Sequence, residues 1–297
     1  MANRSETMAT DMDNKKVRKT NNTKEILKRL MDSHSARIGL IILIIYLLVA
    51  IFANVIAPYS YDFMTSDYLK GPSMAHLFGT DQLGRDLFSR VLYGARYSIL
   101  LGVGSMLIGV VLGMILGCLA GYYGGMMDEV LMRIIDVIQS VPPVLLNMAL
   151  SVTFGAGLFN TMLALGLSVV ASVARLQRSA ILSVRKMEYI SAASSINCSD
   201  FRISFKHIIP NSFSSILVFA TMEVGHSIMA AAGLSFLGLG VQPPMPEWGA
   251  LLSEGRAYIT TAPHLCLYPG IVLIIFVLAV NLFGDGLRDA LDPKLKK

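Results

Sequence analysis

Charge is scarce in this chain: 15% of its 297 residues are Asp, Glu, Lys or Arg, against 54% hydrophobic. Soluble domains carry about 25% charged residues, so the scarcity excludes an ordinary water-surrounded fold. Catalytic signatures are missing too. No glycine is followed directly by lysine, so there is no GxxxxGK[ST] phosphate loop, and HExxH, GxSxG and CxxC are absent. No catalytic residues are expected, and no ATP hydrolysis by this chain alone. His34, His76, His207, His226 and His264 are scattered, and the cysteines, Cys118, Cys198 and Cys266, show no metal-ligand spacing. No metal site or cofactor is therefore expected here. The net charge of +5 comes without a clustered basic and aromatic face, which argues against nucleic acid as a partner.

What the chain does have is long apolar runs, several reaching the roughly 20 residues that cross a bilayer. Six spans are expected, over residues 38–57, 98–121, 129–153, 158–175, 214–237 and 265–284. They must be helices in contact with membrane lipid, because lipid offers the backbone no hydrogen-bond partners. The short alternating segments of a β-barrel do not occur. Nine Lys and Arg lie in 1–37, six in 175–211 and four from 285 onward, against four in 58–96 and one in 239–264. With six spans, the first three groups fall on one side, so that side is the cytoplasm and holds both termini.

The expected organisation is a disordered tail over 1–22, an interfacial helix in 23–37 with Ile26, Leu27, Leu30 and Met31 facing lipid, and a first span over 38–57. An extracytoplasmic segment fills 58–96, a core membrane domain 97–287 and a cytoplasmic tail 288–297. In 58–96, paired glycines with Asp81, Arg85, Asp86 and Arg90 suggest a turn and a helix start, with Asp86 and Arg90 able to pair at i, i+4. Gly109, Gly113, Gly117 and Gly121 form a ridge of small residues for close helix approach, inside the chain or to a sister subunit. Pro142 and Pro143 should kink the third span; such kinks line translocation routes or are merely structural. Trp248, after three prolines, suits an interfacial re-entrant or amphipathic element that closes a passage or anchors its rim. Asp81, Arg85, Asp86 and Trp248 are the candidates for an outer gate or a contact with a protein outside the membrane.

Ionisable groups within the spans are few. Arg133 and Asp136 can neutralise each other at i, i+3. Glu223 and His226 share that spacing in more apolar sequence and join Pro142 and Pro143 as candidates for a translocation path.

The most informative stretch is RKMEYISAASSINCSDFRISFKHIIPN at 185–211, a polar loop between two apolar segments. Tyr189, Ala192, Ala193 and Ile196 fall on one helical face, and the two alanines make it shallow enough for another protein to pack closely. Asn197 tolerates the left-handed turn past a helix end, Ser199 can cap a second helix and Pro210 marks its far end. This loop resembles the EAA motif of ABC-importer permeases. With HLFGTDQLGRDLFSRVLYGARYSILLG at 76–102 and LSFLGLGVQPPMPEWGALL at 234–252, residues 35–293 are similar to the C-type permease subunit of dipeptide, oligopeptide and nickel importers.

The resemblance implies an all-α type I importer fold: six transmembrane helices and a cytoplasmic coupling helix in a bacterial or archaeal plasma membrane. It implies a homologous B-type permease, two ATP-binding cassette subunits that hold ATP and Mg, and an extracytoplasmic substrate-binding protein. It assigns coupling to the ATPase to Glu188, Tyr189, Ser191, Ala192, Ala193, Ile196, Asn197, Asp200, Arg202, His207 and Pro210. Three positions depart from the family: Ser191 stands where Glu is usual, Asn197 where Gly is usual, and Ala231 where relatives often carry an acid. The expected function is the permease subunit of an ATP-driven importer for di- or oligopeptides, with alternating access driven by the partner ATPases. A nickel or metal-chelate importer shares these motifs. A secondary transporter driven by ion gradients would need more intramembrane carboxylates, and a structural scaffold would leave the docking helix without a task.

Overall fold

The computed structural model describes residues 22–195, 198–203, 206 and 208–291. Residues 1–21 and 292–297 of the expected tails, and Ile196, Asn197 and His207, lie outside the described residues, whereas Asn22 and residues 288–291 of those tails belong to helices. Eleven α-helices follow one another among the described residues, and no strand is formed there. A short α1 (Asn22–Asp32) leads into α2 (His34–Ile56), the first span. Ser33 separates the two by capping α2, its hydroxyl accepting the Ala36 N–H at 3.4 Å. The span thus starts earlier than expected, and α1 does not simply lie on lipid. Leu30 is buried with Leu287 and Ala290, and Ile26 packs on them, while Leu27 and Met31 stay exposed.

The core runs through α3 (Leu87–Tyr123), α4 (Gly125–Gln139), α5 (Pro143–Phe154), α6 (Leu158–Arg185), α9 (Ile209–Phe236) and α11 (His264–Leu291). Between α6 and α9 lie two short helices, α7 (Glu188–Ser195) and α8 (Asp200–Ile203). Between α9 and α11 lies α10 (Trp248–Gly255). Five helices are long and apolar enough to cross a membrane. The third expected span, 129–153, is broken rather than kinked: α4 and α5 meet at 92°. Pro142 and Pro143 explain the break, since neither has an N–H for a continuing helix and proline drives its predecessor out of helical backbone angles. Pro143 instead opens α5, where its missing N–H costs nothing.

The glycine ridge of α3 packs inside the chain, against α6. A Cβ on Gly109 would lie 2.7 Å from Val169 Cβ, one on Gly113 2.5 Å from Val173 Cβ, and one on Gly117 2.5 Å from the Ala174 carbonyl oxygen. Gly166 of α6 returns the fit against Ile108. Without a hydrophobic drive between helices in lipid, such close backbone contact is what holds the pair. On the other flank, α2 packs on α11, with Gly39 against the backbone of Ala279 and Gly286 against Ala36. Arg96 of α3 donates to the Ala50 and Ile51 carbonyls at the end of α2, and to Asn54 Oδ1 at 2.8 Å. It thereby ties α3 to the last turns of α2.

Trp248 is a core residue rather than a membrane-interface one. It is fully buried, its indole N–H donates to the Val91 carbonyl at 3.0 Å, and it forms an aromatic triangle with Tyr46 and Phe276. Gly94 makes the room, since a Cβ there would stand 2.8 Å from the indole ring. The second half of VQPPMPEWG, from Pro246, therefore folds inward, between α3 and α11, while Gln242, Pro243 and Pro244 stay exposed.

Candidate functional site

The polar loop forms a short helix where one is expected, α7, joined to the end of α6 by a tight turn in which the Ile190 N–H donates to the Met187 carbonyl at 3.0 Å. Ile190 is the residue that roots it, buried with Ile181, Val184, Ile203 and Ile208. Tyr189, on the other side, is 43% exposed, and Glu188 is exposed as well. Ser191, Ala192 and Ala193 lie within α7, and Asp200 opens α8, where Arg202 is exposed. Pro210 sits in the first turn of α9. Below this loop, Gln177 of α6 is fully buried and donates to the Ser212 hydroxyl of α9 at 3.0 Å. Arg185 closes the end of α3 by donating to the Tyr122 carbonyl at 3.0 Å. The helix α7 is thus fastened to helices long and apolar enough to cross a membrane.

The expected Arg133–Asp136 pair is not the one formed. Asp136 accepts from Arg175 of α6 at 2.7 Å, and Asp128 takes both guanidinium arms of Arg178 at 2.5 Å. A facing helix offers these carboxylates a straighter approach than a neighbour on their own helix. Glu223 and His226 do meet, at 4.0 Å, with His226 69% and Glu223 17% exposed. The break at Pro142 and Pro143 lies on a separate element, α4–α5.

Between α2 and the first turn of α3, Asp81, Arg85, Asp86 and Arg90 are all buried, at 1–3% exposure. They are therefore an internal lock, not side chains available to a binding protein, and Trp248 is likewise enclosed. Asp81 accepts from Arg85 Nε at 2.7 Å and from Arg90 Nη1 at 2.6 Å. Glu254 of α10 takes Arg85 Nη2 at 2.7 Å and both arms of Arg90. Burial pushes the Glu254 carboxyl up, but the Arg90 hydrogen bonds and the two guanidinium charges outweigh it and hold the group below its usual value. Asp86 does not pair with Arg90 as its spacing allows. It caps α3 by accepting from the Ser89 N–H and hydroxyl at 2.7 Å, and its other oxygen meets His76 Nδ1 at 2.9 Å. A carboxylate committed to a helix N-terminus cannot also reach a side chain one turn along.

Three residues that matter here escape a reading of the sequence: His76, Glu247 and Glu254. Glu247 is fully enclosed and accepts from the Gly249 and Ala250 N–H groups, Ser98 of α3 and Ser235 of α9. Burial pushes its carboxyl up, against the pull of those four donors. An acid directly before an apolar helix, PEWGALL, was the available signal for this cap. Glu254 gave none, because its partners lie 164 to 169 residues away.

Relatives place this arrangement. The profile described as "Binding-protein-dependent transport system inner membrane component" matches residues 109–297, and "N-terminal TM domain of oligopeptide transport permease C" matches residues 21–72. The glutathione transport system permease protein GsiD of Pectobacterium atrosepticum is 45% identical over 92% of this chain and 91% of its own length. GsiD of Escherichia coli O6:K15:H31 is 47% identical over 92% of this chain and 90% of its own. Among solved structures, the inward-facing MetNI methionine ABC transporter aligns with a TM-score of 0.57 at 17% identity, covering 69% of this chain and 98% of that one. An amino acid ABC transporter solved with histidines gives 0.53 at 16% identity, over 68% and 94%. At such identities these structures speak for the fold alone. Two profiles and two near-full-length relatives decide the rest: the chain belongs to the binding-protein-dependent transport system inner membrane components, as a C-type permease subunit of an ABC importer.

Proposed function

We propose that this permease carries glutathione and other small peptides into the cell, by alternating access driven by ATP in partner subunits. The observation that carries the coupling half is the rooting of α7: buried Ile190 fixes it to the end of α6, and Gln177–Ser212 ties α6 to α9. A push on Tyr189, Ala192 and Ala193 would therefore move membrane helices as a body, in the manner of a rigid-body switch. ATP and Mg belong to two cassette subunits that meet the coupling loop, and a homologous B-type permease supplies the other half of the passage. The nineteen Lys and Arg in 1–37, 175–211 and beyond 285 support cytoplasmic termini in this arrangement. The substrate class is supported by the permeases at 45–47% identity, whose names specify glutathione. The binding protein would meet the exposed surface of 58–96, such as Tyr68 and Met74, while the ion lock beneath keeps that surface in shape.

The test is affinity purification of the tagged chain in mild detergent, with mass spectrometry of what accompanies it. A second permease and cassette subunits in stoichiometric amounts support the assembly. Recovery of this chain alone, even after gentle crosslinking, would count against it and favour a carrier driven by ion gradients. Uptake of labelled glutathione by vesicles containing the complex, dependent on ATP, tests the substrate.

A further inference from the structure

Glu223 lies near the middle of the 28-residue α9, about 20 Å from either end at 1.5 Å per residue, and so close to the bilayer midplane. It is only 17% exposed, yet its ionisable neighbour His226, 4.0 Å away, is 69% exposed on the surface of the chain. Ser215, Met229 and Gly233 are exposed on the stripe of α9 that His226 marks. A carboxyl and an imidazole at this depth are too costly to present to hydrocarbon, so this stripe borders water or protein. Serine, glycine and a flexible methionine suit the wall of a passage whose cargo varies. α9 contains no Lys or Arg, and among the described residues no Lys or Arg side chain forms an ion pair with Glu223. A carboxyl on a passage wall, with no fixed Lys or Arg partner of its own among the described residues, is complementary to a cation that arrives and leaves.

We infer that Glu223, flanked by His226, is the site where the permease holds the primary ammonium group of a small zwitterionic peptide in transit. This rests on the peptide reading above and gives it a residue. Glu223 supplies the charge, and His226 lines the approach one turn along. The site needs only to be weak, since a transported group must also be released.

The assembled importer in proteoliposomes, with its binding protein saturated by each substrate in turn, gives the test. ATP-driven uptake of glutathione is compared with that of N-acetylglutathione, which lacks the ammonium group. The binding protein is the same throughout, so any change in the ratio of the two rates belongs to the permease. Glu223→Gln should lower glutathione uptake at least tenfold while N-acetylglutathione uptake stays within twofold, and Glu223→Asp should restore most of the loss. His226→Lys, which tethers a competing ammonium beside Glu223, should collapse the ratio in the same way, and it keeps the test open if Glu223→Gln fails to assemble. An unchanged ratio, or equal losses for both substrates, overturns the inference while leaving the peptide reading intact. A wild-type importer that takes up neither substrate overturns the peptide reading and this site with it.

Discussion

Arg90 reaches Glu254 across 164 residues of sequence, its two guanidinium nitrogens meeting the two carboxylate oxygens at 2.8 and 3.0 Å. The pair pins α10 to the start of α3, and Asp81 and Arg85 complete a four-member lock of two positive and two negative groups. Outside the membrane, nothing else in the described chain joins so many distant charges.

Breaking this lock from one side is expected to be costly. Glu254→Ala leaves two buried guanidinium groups facing one carboxylate, a change that costs about 3–5 kcal/mol when the site is enclosed. Thermal unfolding of the purified complex and limited proteolysis of 58–96 report it. An unchanged melting temperature together with an uncut outer segment would show that the lock contributes nothing.

The same carboxylate sets a pH dependence. Its folded value lies below the ordinary 4.5, so it stabilises the fold fully above that pH, and the contribution drains away as pH falls through the lower folded value. The outer segment should therefore loosen only in acid below about pH 4.5. Glu254→Gln should flatten that acid limb of a stability–pH curve measured by proteolysis. A variant with the wild-type acid limb would assign the transition to another group.

Close packing of α3 on α6 predicts a sharp position dependence. Gly113→Leu drives atoms into Val173, whose Cβ would be 2.5 Å from the first added carbon, and should destabilise by about 1–3 kcal/mol or prevent assembly. Gly71→Ala meets nothing within 4 Å and should shift stability by no more than about 0.5 kcal/mol. Paired thermal melts of the two variants decide; similar losses would mean that the ridge is not the sensitive contact.

Coupling is expected to fail separately from assembly. Ala193→Asp puts a charge one helical turn from Tyr189, on the face assigned to the ATPase, where burial of an unpaired charge weakens a packed contact. The complex should still copurify, while ATP-driven uptake in proteoliposomes falls at least tenfold. Wild-type uptake by this variant would remove Ala193 from the coupling contact.

Much of this architecture could be read from single residues and their spacing. Hydropathy located five continuous spans, because lipid leaves the backbone no choice but helix, and the glycine repeat at 109, 113, 117 and 121 announced a close helix contact. The helix at Tyr189 was legible because a polar segment with a helical period between two spans has few other forms. Spacing misled at Asp86 and Arg90, and at Arg133 and Asp136. In each case a local partner was available, but other partners won: a helix N-terminus and a histidine for Asp86, a distant lock for Arg90, a facing helix for Asp136.

Sequence by itself determined what local physics governs: which segments enter the membrane, which stay in water, and where a docking helix begins. It determined that a helix is disturbed at Pro142 and Pro143, read there as a kink, since proline lacks the N–H on any path. Only the tertiary structure decided that the interruption turns the chain through 92°, that the glycine ridge faces α6, and that Trp248 is enclosed. It alone decided that Asp81, Arg85 and Arg90 close on Glu254 rather than face a partner. The reason is one of range: helix formation and membrane insertion are settled within about 20 residues, whereas a buried charge takes whichever opposite charge the whole fold brings within reach.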